Sequence, residues 1–399
     1  RQAPEESASF EDTLARLSNP PHDLDAPPSW HIPGDAASTA PIVAVQLDYR
    51  TVEDTSGGSM SVHILDALIY ILSRCKPDAE VVVNISFGAL AGPHDGSSLL
   101  ERAMDDLIEA SAGRLHIVTA AGNSYQQRGH ANLTLSAGES RTIDWFVSPD
   151  DATPSFVEIW LPPQASGVEI SLTPPAGAPL PALAPGQSRL LVDADGQVIG
   201  AVIYPHPPAT GLDGTCILLA LQPTTSPRAG EPIAPSGSWR ITLTQTATDS
   251  VTIDAYIERD DTVVGTRTGA RQSRFEDADY DLESFVDDPL NPSLIRRSGS
   301  FNDIATGART LSVGGVRIRD GSWAPYSARW PDPDAARNIR PNVQKVPDRD
   351  GFSDECAAMP GLLAAAPRSG ATVRMVGTSA AAPQVTRRIV NTLAANAAR

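Results

Sequence analysis

The middle of the chain, from residue 133 to residue 258, consists of short runs in which apolar and polar residues alternate. Thr142–Val147, Phe156–Leu161 and Trp239–Leu243 are three of these runs, and turn residues separate them at fairly regular intervals. Alternation with a period of two places the apolar side chains on one face of a strand, and a series of such strands is typical of two packed antiparallel sheets. The pattern predicts an all-β sandwich and accounts for the many prolines and glycines of this region.

The chain on either side of that region has a different pattern. Ile42–Leu47, Val81–Ser86 and Leu115–Ala121 are continuous apolar runs of strand length, and apolar residues at helical spacing lie between them. Strands that alternate with helices predict a parallel sheet with right-handed crossovers. The same pattern resumes at Ala308–Val313 and ends in a predicted helix over residues 380–394. The sequence therefore predicts an α/β fold, a parallel sheet with helices on both faces, interrupted by an inserted all-β sandwich domain.

These differences divide the chain into five predicted parts. They are a Pro-rich arm over residues 1–40, the first part of the α/β domain over 41–130, the inserted β-sandwich over 131–260, an acidic connecting segment over 261–300 and the second part of the α/β domain over 301–399. In the acidic segment, carboxylates alternate from Glu276 to Glu283, but an EF-hand loop needs glycine at its sixth position, where Leu282 stands. We interpret the segment as a solvated loop.

The charge of the chain excludes two classes of function. The sequence has 31 Lys and Arg against 48 Asp and Glu, a formal net charge of −17. This balance excludes a generic basic protein that binds nucleic acid or an anionic membrane. No stretch approaches the ~18 apolar residues of a membrane span, so neither a nucleic-acid partner nor a membrane span is expected.

A short motif of small residues, Gly377–Pro383, leads into the predicted C-terminal helix. A serine at the start of a helix is exposed at a turn, lies at the positive end of the helix dipole and has a backbone N–H that is free to donate. Ser379 occupies this place, and its small neighbours would let a substrate backbone approach. The alternative is that Ser379 only caps the helix, since serine is preferred there.

Three segments, in order along the chain, resemble the subtilisin-like serine peptidases. Gly377–Pro383, Gly-Thr-Ser-Ala-Ala-Ala-Pro, closely resembles the family's nucleophile motif, Val83–Gly88 resembles its substrate-binding strand, and Val118–Asn123 resembles the strand that ends in its oxyanion-hole asparagine. Leu311–Val316 and Arg340–Val343 resemble two further segments of the same family. Three motifs in the family's order indicate the family far more specifically than any one motif alone.

The resemblance covers roughly residues 41–125 and 300–399, and it implies a subtilisin-like fold that acts on polypeptides. It implies that Ser379 is the nucleophile and that Asn123 and the Ser379 backbone N–H stabilise the oxyanion. It also implies five substrate contacts: Ser86, Phe87, Gly88, Gly122 and Thr378. Calcium is common in the family, but no ligand cluster can be assigned here, so no metal site is predicted. By resemblance, a secreted or periplasmic bacterial location is favoured.

Two parts of the family's pattern are missing from the chain. The family's serine is activated by a histidine that an aspartate orients, in the chain order Asp, His, Ser. Neither an Asp-Ser/Thr-Gly after a strand nor a His-Gly-Thr-His at a helix start occurs here. Because both would precede Ile42–Leu47, and because the chain begins at Arg1 with its first methionine at Met60, we expect a truncated or processed chain. The Asp and His are then expected upstream, deleted or carried by an N-terminal fragment of the same precursor, which would be a partner.

Five of the seven histidines are rejected as replacements. His63, with Asp48 or Asp54 to orient it, falls on a crossover helix where the family has an ordinary packing helix. His94 is expected at the rim of the cleft. Three more lie in the Pro-rich arm or after the oxyanion strand: His22, His31 and His130.

A pair of carboxylates on the second predicted helix is also rejected. Glu101 and Asp105 have the spacing of the glutamate and aspartate of the sedolisin relatives, in which glutamate replaces histidine. Those relatives carry aspartate at the oxyanion position, whereas this chain has Asn123. We interpret the pair as a solvated helix face.

Two functions from different classes remain. The first is a serine endopeptidase that hydrolyses peptide bonds through an acyl-enzyme on Ser379. The second is a non-catalytic scaffold of subtilase type whose β-sandwich binds a protein or a glycan. Large aromatic residues of the sandwich are interpreted as core rather than as a sugar platform: Trp145, Trp160 and Trp239.

Overall fold

The computed structural model describes most of the chain. It covers residues 34–47, 60–90, 92–163, 165–208, 214–226, 228, 230–260, 269–329, 347–366 and 371–397. Several residues weighed from the sequence lie outside these ranges, namely His22, His31, Asp48, Asp54 and Arg340–Val343.

Four helices and seventeen strands form within the described ranges. The helices are α1 Ala36–Thr39, α2 Met60–Arg74, α3 Leu99–Ala110 and α4 Thr378–Ala397. The strands are β1 Val81–Ile85, β2 Leu115–Ala120, β3 His130–Leu135, β4 Ser140–Val147, β5 Ser155–Leu161, β6 Val168–Thr173, β7 Gln187–Val192, β8 Val198–Tyr204, β9 Thr215–Leu221, β10 Gly237–Gln245, β11 Val251–Ile257, β12 Arg274–Glu276, β13 Ile295–Arg296, β14 Leu311–Arg317, β15 Arg349–Asp354, β16 Leu362–Ala365 and β17 Thr372–Met375. None of the described helices has the length and apolarity needed to cross a membrane.

Eleven of these strands form two antiparallel sheets. One has the order β12-β4-β10-β6 and the other β13-β3-β11-β5-β9-β8-β7. Buried and half-buried residues alternate along the whole of β5 and β9, which is the periodicity that the sequence shows. Side chains from both sheets form one hydrophobic cluster. Trp145 and Trp239 lie opposite each other on β4 and β10 and are fully buried, which confirms that these two tryptophans belong to a core.

A second arrangement surrounds a four-stranded parallel sheet of order β1-β2-β14-β15. Successive residues of β2 point to opposite faces of this sheet. Ile117 packs in a cluster with α2 and α3, whereas Val118 packs with Ala381 and Ala382 of α4. The small residues of α4 let the helix lie close against the sheet, and its first turn therefore comes next to the ends of β1 and β2.

The fold class that the sequence predicts is wrong. The expectation was an α/β, subtilisin-like parallel sheet with helices on both faces and a β-sandwich as an insertion. The described chain is instead mostly β, with helices in only 16% of its residues, and the parallel sheet has four strands against eleven in the antiparallel sheets. Periodicity identifies single strands and helices, but it does not show how many strands join each sheet. The domain boundaries given above remain predictions.

The predicted first strand, Ile42–Leu47, does not form. These residues join no sheet of the described chain, and the side chains of Ile42 and Val45 are 86% and 38% exposed. A run of branched apolar residues becomes a strand only where a neighbouring strand accepts its backbone hydrogen bonds. Only Leu47 packs against the cluster beneath α2 and α3.

Candidate active site

The first turn of α4 lies at the carboxyl ends of β1 and β2. In a parallel sheet these ends share one edge, where residues that follow different strands meet. Five of the seven residues predicted from the sequence to form the site are joined there by hydrogen bonds: Ser86, Gly122, Asn123, Thr378 and Ser379. The other two, Phe87 and Gly88, follow Ser86 and are not part of these hydrogen bonds. Phe87 packs against the cluster beneath α2 and α3.

The side chain of Asn123 is oriented by the residue before the serine. Its Oδ1 accepts hydrogen bonds from the backbone N–H of Thr378 at 2.9 Å and from the Thr378 hydroxyl at 3.1 Å. The Thr378 hydroxyl oxygen in turn accepts from the backbone N–H of Gly122 at 3.1 Å. These two bonds use the acceptor of the Asn123 amide. Its donor, Nδ2, has no partner among the described residues, and the side chain is exposed.

The hydroxyl of Ser379 is half-buried and donates to a backbone carbonyl. Its Oγ lies 3.0 Å from the carbonyl oxygen of Ser86. The Ser86 hydroxyl donates back to the carbonyl oxygen of Ser379, also at 3.0 Å. Within the described chain, the Ser379 hydroxyl hydrogen-bonds to no histidine. In this arrangement the serine is held in place but is not activated.

His63, His94 and His130 make no hydrogen bond to Ser379 in the described chain. His94 is buried and stacks on Tyr256 with ring centroids 3.9 Å apart, so the expectation that it lines the rim of the cleft is wrong. His130 stacks on the same Tyr256 at 4.5 Å, and its Nε2 lies 2.8 Å from Asp254 Oδ1. Its Nδ1 lies 2.7 Å from the carbonyl oxygen of Ser298. His63 is exposed on α2. These contacts support the rejection of all three as the base.

A loop that the sequence analysis did not single out holds the two strand ends. The backbone N–H of Asn302 donates to the carbonyl of Ala121 at 2.8 Å, and its side-chain amide donates to the carbonyl of Ala120 at 3.0 Å. Gly88 lies so close that an added Cβ would be 2.7 Å from the Cβ of Asn302. Gly122 has a φ of +115°, and its added Cβ would be 3.0 Å from the Asn302 backbone nitrogen. Both glycines are therefore required by the close approach of Asn302.

A tyrosine positions the residue before the Thr378–Ser379 pair. The Tyr326 hydroxyl accepts from the backbone N–H of Gly377 at 3.0 Å and donates to Asp354. Asp354 also accepts from the backbone N–H of Gly361 at 2.7 Å. Burial, reinforced by the hydrogen bond to Asp354, raises the pKa of Tyr326 well above its usual range. No local signal marks Tyr326, because its partner Gly377 is 51 residues away.

The carboxylate of Glu101 is buried, so its interpretation as part of a solvated helix face is wrong. It accepts hydrogen bonds from the backbone N–H and hydroxyl of Thr306 at 2.8 and 2.7 Å and from the hydroxyl of Ser98 at 2.9 Å. Ser98 caps α3, and serine followed three residues later by glutamate is a helix-start signal readable from the sequence. Asp105 likewise accepts from the backbone N–H groups of Ala308 and Arg309.

We expect Glu101 to make the stability of the protein depend on pH. Burial raises the pKa of Glu101 from 4.5 to about 7, against the smaller effect of its hydrogen bonds. Because the folded state holds this proton more tightly, its contribution is complete below pH 4.5 and is lost as the pH rises through 7. The free energy of unfolding should fall by roughly 3 kcal/mol across this interval.

The measurement is urea unfolding at a series of pH values between the two pKa values, with Glu101→Gln beside the wild type. Glutamine keeps an acceptor for Thr306 and an amide that can reach Ser98, so this variant should lose the part of the pH dependence that Glu101 contributes. Asp106→Asn is the matched control, since Asp106 is exposed on the same helix. Equal pH dependence in Glu101→Gln and the wild type would contradict the assignment.

No group of three or more His, Cys, Asp or Glu residues in the described ranges is arranged to hold a metal ion. In the acidic segment, the side chain of Asp281 accepts hydrogen bonds from the backbone N–H groups of Glu283 and Ser284. Its carboxylate therefore stabilises a turn. The three cysteines of the sequence, Cys75, Cys216 and Cys356, have free, half-buried thiols.

Comparisons with known proteins place the fold near a protease. No protein-family model matches the chain, and no curated protein matches it. The solved structure of the Clostridium perfringens CspB protease is similar in fold, with a TM-score of 0.60 and 19% identity over 84% of this chain. The match spans 59% of the length of that protease. At this identity, the likeness shows the fold alone.

A second solved structure, the Bacillus licheniformis lipase BlEst2 in propeptide form, gives a TM-score of 0.20. Its identity is 9%, and the match covers 40% of this chain and 44% of that one. This value is too low to carry an argument.

Proposed function

We propose that the protein is a serine endopeptidase of the subtilisin type, in which Ser379 is the nucleophile and Asn123 stabilises the oxyanion. One observation carries the proposal. Ser86, Asn123 and Ser379 come from three separate segments, Ser86 lying 293 residues before Ser379. The fold brings them together at the start of α4, where Asn123 is hydrogen-bonded to Thr378 and Ser86 to the adjacent Ser379. They belong to the three segments that resemble the family's motifs. The similarity to a protease fold supports the same proposal.

The chemistry follows from the donors around Ser379. Its Oγ would form a bond to the carbonyl carbon of the scissile peptide, and the π electrons of that carbonyl would move to its oxygen. The free Asn123 Nδ2 and the Ser379 backbone N–H would donate to this oxyanion, at the positive end of α4. Collapse of the intermediate expels the amine, which takes up the proton that Ser379 gave to the base, and leaves an acyl-enzyme. Water then hydrolyses the ester, which releases the acid and restores the Ser379 hydroxyl.

The proton of Ser379 has to leave during attack. The hydrogen bond from Ser379 to the Ser86 carbonyl must therefore break, so that the hydroxyl can turn toward a base. We propose that this base is a histidine oriented by an aspartate, as in the family whose motifs these segments resemble. The substrate would be an extended polypeptide that pairs with the backbone of residues 86–88 as an added strand.

The proposal is tested by fluorophosphonate labelling of the intact gene product, followed by mass spectrometry of the peptide that contains Ser379. We expect one adduct in the wild type, located on Ser379, and none in Ser379→Ala. Ser188→Ala is the matched control, because Ser188 is exposed on β7, and it should label like the wild type. An adduct that persists in Ser379→Ala would assign the reactivity to another residue.

A specific observation favours a second candidate. The Ser379 hydroxyl donates to a carbonyl rather than to a base, as expected of a non-catalytic scaffold whose β-rich part binds a protein or a glycan. The same experiment separates the two functions. A folded intact product that does not label at all would overturn the peptidase proposal and favour the scaffold.

A further inference from the structure

The helix that carries Ser379 has a proline in its second turn. In an α-helix the carbonyl of each residue accepts from the N–H four residues later. The residue four positions after Ser379 is Pro383, which has no N–H. The carbonyl of Ser379 therefore lacks its helical donor and is available to a donor from elsewhere in the fold.

Ser86 supplies that donor. Its hydroxyl lies 3.0 Å from the Ser379 carbonyl oxygen. Because a backbone carbonyl can only accept, the Ser86 hydroxyl is the donor of this hydrogen bond. Asn84 helps to hold that hydroxyl, because its side-chain N–H₂ donates to the Ser86 oxygen at 2.9 Å. The other end of the Asn84 amide accepts from the Thr386 hydroxyl at 3.2 Å, so the chain of hydrogen bonds begins and ends on α4.

We propose that Ser86 is a positioning residue for Ser379, and that its hydroxyl replaces the backbone donor which Pro383 removes. The inference rests on the proposed peptidase function. The hydroxyl and the carbonyl of Ser86 together hold Ser379 by two hydrogen bonds. The hydroxyl fixes the first turn of α4, and with it the direction of the Ser379 backbone N–H relative to Asn123. The carbonyl releases the Ser379 hydroxyl when the base takes its proton.

A double-mutant cycle on the intact gene product tests this replacement. Ser86→Ala removes the hydroxyl, Ser86→Thr keeps it, and Pro383→Ala restores a backbone N–H four residues after Ser379. We expect Ser86→Ala to slow fluorophosphonate labelling of Ser379 about tenfold, which corresponds to the loss of one hydrogen bond of about 1.4 kcal/mol. Ser86→Thr should stay within about twofold of the wild type. In the Pro383→Ala background, Ser86→Ala should cost less than about threefold.

A second readout does not depend on activity. Hydrogen–deuterium exchange of the peptide that begins at Gly377 should rise in Ser86→Ala and return toward the wild-type level in Ser86→Ala/Pro383→Ala. Ser97→Ala serves as the matched control, because Ser97 lies in the loop after the same strand and bonds to Asp95 through its backbone N–H rather than its hydroxyl. It should change neither labelling nor exchange.

The outcomes separate the two proposals. If the wild type labels but Ser86→Ala and Pro383→Ala are additive in both rate and exchange, the positioning role is overturned while the peptidase function stands. If the wild type does not label, the peptidase function is overturned, and the positioning role of Ser86 with it. If Ser86→Ala has a smaller effect in the Pro383→Ala background, both on the labelling rate and on hydrogen–deuterium exchange, the inference is supported.

Discussion

Asn123→Asp should lower the rate of fluorophosphonate labelling of Ser379, and the kcat for cleavage of an unstructured protein such as casein, by about 10²–10³-fold. Aspartate keeps the oxygen that accepts from the Thr378 backbone N–H and hydroxyl. It removes the Nδ2 donor and places a negative charge where the oxyanion would form. The loss should therefore fall on kcat, with little change in KM and in the melting temperature.

Two comparisons make this result specific. Asn396→Asp introduces the same charge at an exposed position near the far end of α4, and it should label like the wild type. Thr378→Val removes the hydroxyl that orients Asn123 and should give an intermediate loss. Near-normal labelling in Asn123→Asp would contradict the role of Asn123 in the oxyanion hole.

Trp239→Ala should reduce the free energy of unfolding by about 3–5 kcal/mol, because a fully buried aromatic side chain is replaced by a cavity. Trp239 is 1% exposed and lies opposite Trp145 in the cluster shared by the two antiparallel sheets. The indole N–H also donates to the carbonyl of Pro235 at 3.0 Å. Urea unfolding measures the loss.

The control for this prediction is an apolar residue at the surface of the same sheets. Leu190 is 64% exposed on β7, and Leu190→Ala should change the free energy of unfolding by no more than about 0.5 kcal/mol. A loss below about 1 kcal/mol in Trp239→Ala would contradict the core assignment. It would favour an exposed aromatic surface of the kind that binds a glycan.

The local pattern of the chain predicted many of its strands correctly. The alternating runs that include residues 156–161 and 239–243 fall within β5 and β10, because a period of two depends only on neighbouring residues. The same kind of reasoning failed for Ile42–Leu47, which has the composition of a buried strand but no described partner. It also failed for the fold class, because the number of strands in each sheet is not a local property.

In the candidate site, too, some residues could be predicted from local sequence and others could not. Ser379 and Asn123 could be singled out because each lies in a short motif. Tyr326 and Asn302 could not, since their partners Gly377 and Ala120 are 51 and 182 residues away. Glu101 was misread, although the serine three residues before it is a helix-start signal.

By itself, the sequence determined which residues could form strands, where α4 begins and which serine stands at its start. Propensity, periodicity and turn chemistry act over a few neighbouring residues, so these features are written locally. Only the tertiary structure decided that the chain is mostly β, that Glu101 is buried, and that the Ser86 hydroxyl meets the carbonyl which Pro383 leaves without a donor. Those outcomes depend on which distant surfaces exclude water together and which backbone groups find partners there, and no local pattern encodes that.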